Sequence, residues 1–240
     1  MELAVPGSVA DREAMDDISS GTVHRVYQGL LADLDHGRMV PGQRLVETEL
    51  AARFGAGRNA VREAIQRLAA RGVVDLSRNR SPAIRKLDAA ETMEVLTVAE
   101  AMTALVLGAA ALHFVPTIHG SALDDAQAQI EAAADEDEIA DFGRARRQFY
   151  RVLLEIGGNR ELKRLFPAIG MHIVYAQYRS RRLRGIRLAD YRAMIEAVRH
   201  GGQEQAEAEG RRHVGHVRAI IAEQVTVGTT EALTRNPGHS

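Results

Sequence analysis

PGQRLVETELAARFGAGRNAVREAIQRLAARGVVDL, residues Pro41 to Leu76, decides the fold. Leu45, Leu50, Ala51 and Phe54 make the apolar side of a short helix, and Gly55-Ala56-Gly57 breaks it. A second helix is expected from about Asn59, whose side chain can cap free backbone amides, with Val61, Ala64, Ile65 and Leu68 turned inward. Two short helices around a three-residue turn that contains glycine are the mark of a helix-turn-helix. Two brief apolar runs follow, Val73 to Leu76 and Ala83 to Leu87, separated by Ser77-Arg78-Asn79-Arg80-Ser81-Pro82, which predicts the strands and basic tip of a wing. Upstream, Val23, Val26, Tyr27, Leu30, Leu31 and Leu34 recur at helical spacing up to His36-Gly37, and Pro41-Gly42 turns the chain. Residues 21–87 therefore read as a winged helix-turn-helix.

The charge pattern says what such a domain is for. The net charge of -1 conceals strong segregation: between Arg53 and Lys86 stand nine basic residues against two acids, Glu63 and Asp75. From Leu87 to Gly143 there are twelve acids and no Lys or Arg, a stretch that phosphate would repel. Only two of the 31 basic residues are lysine. Arg58, Arg62 and Gln66, at i, i+4 and i+8, form one stripe opposite the inward Val61, Ile65 and Leu68, suited to a major groove. The first residues of such a helix meet base edges, so Arg58 and Asn59 are the expected base readers and Arg62 a phosphate or base contact. Arg44, Thr48, Arg78 and Arg80 complete the candidate DNA-binding set.

Beyond Asp88 every periodic segment is helical, with helices expected at about 89–113, 121–134, 136–156, 160–182, 190–200 and 203–225. Breaks are expected at Pro116, Gly120, Gly157-Gly158, Gly185 and Gly201-Gly202. The fold class is mainly α, a winged helix-turn-helix followed by an antiparallel helical bundle over 88–226. Residues 1–20 are expected to be a flexible arm and 227–240 a flexible tail. The absence of cysteine rules out disulfides and thiolate metal sites. The longest charge-poor apolar run, Ala101 to Val115, is shorter than a bilayer crossing requires, and no leader is recognisable, so no membrane partner is expected and the cytoplasm is the expected location.

The run quoted above resembles the N-terminal domain of GntR-type bacterial regulators. Their pattern has Pro-Gly, then Leu-Ala, then Ser-Arg-Thr-Pro-Val-Arg-Glu-Ala, and a glycine before the wing. The corresponding positions here are Gly57, Arg58, Asn59, Ala60, Val61, Arg62, Glu63 and Ala64. The resemblance spans about 22–87 and implies that the two retained arginines touch DNA. "RRQFYRVLLEIGGNRELKRLF" and "DYRAMIEAVRHGGQEQAEAEGRRHV" resemble the FCD domain of the FadR-type branch. In most members an Asp and three His of these segments bind a divalent metal. Those positions fall here on Arg146, Tyr150, Tyr191 and His213, so one ligand survives, and no metal and no cofactor is expected.

Arg and Tyr at such positions are donors suited to an anionic or polar organic effector, so Arg146, Tyr150, Tyr191 and His213 are the candidate effector-binding residues. The alternative for the two tyrosines is that they plug a vanished cavity. Where relatives often place an effector-binding Arg on the first helix of this domain, the chain has Ala99. His113, His119 and His172 form no metal-spaced pair and read as packed or solvent-facing. No phosphate loop, nucleophile elbow or paired-carboxylate motif occurs. The expectation is a homodimeric transcription regulator, not an enzyme, on a pseudo-palindromic operator of double-stranded DNA, modulated by a small effector. Two other classes are an enzyme using Arg146, Tyr150, Tyr191 and His213 in acid-base roles, and an architectural DNA binder without an effector.

Overall fold

The computed structural model describes residues 9–76, 81–135, 139–179 and 181–235. Helix α1 (Val9–His36) lays Val23, Val26, Leu30 and Leu34 against α3, its three-to-four spacing making one continuous apolar stripe. It begins at Val9, inside the stretch expected to be a loose arm, because residues 9–20 contain neither Gly nor Pro and Ala10, Glu13, Ala14 and Met15 are good helix formers. Helix α2 (Glu47–Phe54) ends at Gly55, whose left-handed backbone (φ 56°, ψ 43°) closes the last turn through its N–H. Helix α3 (Arg58–Ala70) starts one residue earlier than expected. Its N-cap is Gly57 and not Asn59, which sits in the first turn with its side chain exposed.

The wing strands are short, β1 (Val74–Asp75) and β2 (Ala83–Ile84), antiparallel with Val74 opposite Ile84. The segment before α2 adds a third line that the sequence reading did not foresee. Gly42 N–H donates to Ile84 O (2.8 Å), Ile84 N–H to Gln43 O (2.8 Å) and Leu45 N–H to Pro82 O (2.7 Å), with Arg44 bridged to Ala83. The wing tip carrying Arg78 and Arg80 lies outside the described residues.

The bundle consists of α4 (Ala89–His113), α5 (Pro116–Asp135), α6 (Ile139–Gly157), α7 (Arg160–Leu165), α8 (Met171–Gln177), α9 (Arg181–Glu196) and α10 (Gly202–Arg235). Asp88 and Glu91 form a reciprocal capping box at the start of α4 (2.8 and 3.0 Å). Four expectations change. Helix α5 starts at Pro116 and runs through Gly120, since proline fits a helix's first position and one glycine is tolerated inside. The single helix expected over 160–182 is three pieces: α7, a 3₁₀ turn (Phe166–Ala168) and α8, divided by Pro167 and by Gly170 at φ 84°. Helix α9 passes through Gly185 and continues as a wider π turn (Ala197–Gly201). Helix α10 continues to Arg235, into the expected tail, because no Gly or Pro interrupts it after Gly228.

Two apolar cores result. One joins the winged helix-turn-helix (Val26, Leu30, Ile65, Leu68, Ile84, Leu87) to Leu96 and Ala99 of α4, Val174 of α8 and Val217 and Ile221 of α10. The other lies wholly within the bundle, around Leu107, Phe142, Phe149, Tyr191 and Met194. The linker is also clamped: Gln177 Nε2 donates to Leu87 O (2.8 Å) and Leu87 N–H donates to Gln177 Oε1 (3.1 Å). Helix α4 is long and apolar enough, by length and composition, to cross a membrane, which the run Ala101 to Val115 alone is not. Half of its apolar stretch is buried within the fold.

Candidate functional site

On the outer face, α3 exposes Arg58, Asn59, Arg62 and Gln66 while Val61, Ala64, Ile65 and Leu68 are buried, as the stripe requires. Arg62 is not a free side chain. Its Nε and Nη2 donate to both carboxylate oxygens of Glu47 on α2 (3.0 and 2.8 Å), a two-pronged pair that holds Glu47 below the usual carboxylate range. The pair joins the first turn of α2, where Thr48 is exposed, to the second turn of α3. Arg44 is exposed on the line beside β2. The described members of the DNA-binding set thus lie on the two helices of the motif and on the strand that precedes them.

Behind α3 a cavity of about 920 Å³ opens between the two domains. Arg146 and Tyr150 of α6 and His213 of α10 line it, together with Thr103 of α4 and His172 and Tyr175 of α8. Arg146 is 7% exposed, its guanidinium lies 4.2 Å from the centre of the Tyr175 ring, and its Nε makes no hydrogen bond among the described residues. Burial pushes the Tyr150 hydroxyl well above the usual tyrosine range, so it remains a protonated donor at neutral pH. Tyr191 does not line the cavity. It is fully buried behind Tyr150 and His213, with ring centres 6.3 and 5.2 Å away, and packs edge-on to Phe149 at 5.0 Å. The turn of α9 that carries it faces the bundle core, so it supports the wall and is not part of it.

Three site residues were missed in the sequence. Asp190, the neighbour of Tyr191, accepts hydrogen bonds from His213 Nδ1 (3.0 Å) and His216 Nδ1 (2.9 Å). Burial would raise its pKa, but the two imidazoles outweigh that and hold the carboxyl below the usual range. His172, read as a packed or solvent-facing residue, lines the cavity with Nε2 buried and without a hydrogen bond among the described residues. Burial, together with Arg146, Arg147, Arg71 and Arg85, lowers its pKa to about 3, which leaves a neutral imidazole. Thr103 stands one turn after Ala99, which is fully buried and offers the cavity nothing. His213 and His216, three residues apart on α10, were a visible signal; Asp190 and His172 were not, since nothing local marks them.

The donor set does not fit a divalent metal. Arg146 brings a fixed positive charge and Tyr150 stays protonated, which leaves His213 as the one imidazole ligand of the set. Among the described residues no three His, Cys, Asp or Glu side chains form a ligand group.

An exposed arginine-bearing recognition helix with a wing, backed by a helical domain with a polar cavity, defines a DNA-binding regulator with an effector-binding domain. Residues 22–84 match the model of bacterial regulatory proteins of the gntR family and residues 94–216 that of the FCD domain, so the chain belongs to the GntR family and carries an FCD domain. It is 25% identical over 197 residues to the HTH-type transcriptional regulator YdhC of Bacillus subtilis (strain 168), covering 79% of this chain and 86% of that one. It is equally 25% identical over 195 residues to a probable D-xylose utilization operon transcriptional repressor of Paenarthrobacter nicotinovorans, covering 79% and 84%. The fold is similar to that of E. coli McbR/YncC (TM-score 0.70, 17% identity, 85% of this chain and 98% of that one). It is also similar to a GntR regulator from Rhodococcus sp. RHA1 (TM-score 0.68, 22% identity, 83% and 97%). The protein is a sequence-specific DNA-binding transcription regulator with an FCD effector-binding domain.

Proposed function

We propose that this regulator works in the cytoplasm as a homodimer on a pseudo-palindromic operator, and that a small anionic or polar organic effector, without a metal, sets its DNA affinity. Arg58 and Asn59 read bases, with Arg62, Gln66, Arg44 and Thr48 beside them. The effector is held by Arg146, Tyr150 and His213 in the cavity behind α3. The observation that carries the effector reading is a buried arginine at the wall of a large cavity with a hydrogen-bonding nitrogen left over. A buried polar group without a partner is costly unless a ligand or water completes it.

Dimerisation finds support in α4, where Val98, Leu105 and Leu112 recur every seven residues and are all more than half exposed. Selection of bound fragments from genomic DNA, followed by gel shifts, tests the reading. Enrichment of a two-fold symmetric site is expected, with affinity unchanged by chelator. No enrichment refutes the operator reading, and about one tightly held metal per chain, lost in His213→Ala, refutes the metal-free one.

A further inference from the structure

We propose that the cavity is a two-ended site for an organic dianion: Arg146 of the FCD domain takes one anionic group and Arg71 of the DNA-binding domain takes the other. The effector itself would then tie the end of the recognition helix to the bundle. The proposal rests on the effector reading above and adds to it the class of ligand and the route by which binding reaches DNA.

The cavity wall is drawn from both domains: Tyr27, Gln28 and Leu31 of α1 and Val73 line it together with Arg146, His172 and Tyr175. Arg71, Arg144, Arg146, Arg147, Arg151 and Lys163 line it, against one acid, Glu155. Most of these cations are already engaged. Arg144 pairs with Asp141 (2.6 Å), Arg147 with Asp35 and Lys163 with Glu155 (2.5 Å), while Arg151 reaches Gln148. Arg71 and Arg146 have no carboxylate partner among the described residues. Each lies over a tyrosine ring instead, Arg71 over Tyr27 (5.6 Å) and Arg146 over Tyr175 (4.2 Å).

A planar guanidinium resting on an aromatic face keeps its N–H fork free for a carboxylate or phosphate. The same cavity is lined by the neutral His172, whose buried Nε2 makes no hydrogen bond among the described residues and can serve a further polar group of the ligand. The field of both arginines is felt there: Arg146 and Arg71 are among the groups that keep His172 unprotonated. An anion in the cavity would offset that charge excess, and a dianion would offset both ends.

The placement of Arg71 gives binding a consequence. It is the C-cap of α3, followed at once by Gly72 (φ 65°), which lies against the backbone of Ala168 at the turn before α8. A ligand that grips Arg71 therefore fixes the end of α3 relative to the FCD domain and biases the angle at which Arg58 and Asn59 meet DNA.

Calorimetric titration of the full chain with succinate, glutarate and adipate, with hexanoate as the monoanion, tests this. Phosphoglycolate distinguishes a phosphate at one end from a second carboxylate. At least one dianion should bind about tenfold or more tighter than hexanoate. Arg71→Gln should remove that advantage and leave hexanoate binding unchanged, whereas Arg146→Gln should weaken both. Arg71→Lys, which keeps the charge without the fork, should fall between and serves if the Gln variant does not fold.

Loss in Arg146→Gln with none in Arg71→Gln overturns the two-ended site and leaves the effector reading standing. Loss in neither variant overturns both. Saturable binding by none of the dianions at millimolar concentration also overturns the proposal.

Discussion

Arg58 and Arg62 carry the same charge on the same stripe but are held differently. Arg58 has no carboxylate partner among the described residues, and Arg58→Ala should cost about 1–3 kcal/mol of operator binding, the worth of one base contact. Arg62 is pre-positioned by Glu47, so Arg62→Ala loses the contact and also bares a carboxylate toward phosphate. Its gel-shift loss should exceed that of Arg58→Ala, and adding Glu47→Gln should recover part of it, with folding nearly intact in each variant. Unchanged affinity in both single variants would rule out the assignment of these residues to DNA.

His172 gives a prediction in pH. It remains neutral in the folded protein down to about pH 3, whereas the unfolded chain protonates it near 6.5. The unfolded state therefore binds more protons in that window. Stability should fall as pH drops from about 6.5 toward 3, by at most about 1.4 kcal/mol per pH unit. Denaturant melts of wild type and His172→Gln at pH values stepped down from 6.5 should show a shallower slope for the variant. Asp190, held below the usual range, adds its own loss only at lower pH, because its stabilising charged form persists until the pH falls through its lowered pKa.

At the scale of elements, the junction between α3 and β1 turns on a single glycine. Gly72 has φ 65°, and a Cβ there would stand 3.4 Å from Ala168 O. Gly72→Ala should therefore cost about 1–2 kcal/mol from the left-handed backbone, read as a lowered denaturation midpoint. The helix-turn-helix itself was legible because Leu50, Val61, Ile65 and Leu68 repeat at helical spacing on either side of a glycine turn. The start of α4 lies at the expected residue 89, though the Asp88–Glu91 capping box that fixes it emerged only from the structure. Gly120 and Gly185 misled the reading, because glycine only weakens a helix, whereas packing on both sides decides whether it continues. The break after Leu165 depended on Pro167 and Gly170, which a purely periodic reading passes over.

At the scale of the molecule, the apolar core does not stop at Leu87. It passes through Leu96, Val174 and Val217, so the FCD domain is joined to α1 and α3 by direct packing as well as by the Gln177 clamp on the linker. The exposed seam of Val98, Leu105 and Leu112 on α4 is the surface proposed above for a second copy. Leu105→Asp should leave the monomer folded, since the side chain is 53% exposed, but shift light scattering from dimer to monomer and weaken operator binding in step. A wild-type protein that is monomeric both free and on DNA would refute the dimer.

Local patterning by itself determined that this chain has a recognition helix, a wing and a helical second domain, because helical spacing, glycine turns and segregated charge act within a few residues of one another. It also placed Arg146, Tyr150 and His213 at one site through their resemblance to a ligand set. Only the tertiary structure decided that Tyr191 stands behind the wall, that Asp190 joins His213 and His216, and that Arg71 and His172 face the same cavity as Arg146. Those relations depend on which turns of distant helices come to lie together, and that is set by the packing of two cores and not by any spacing along the chain.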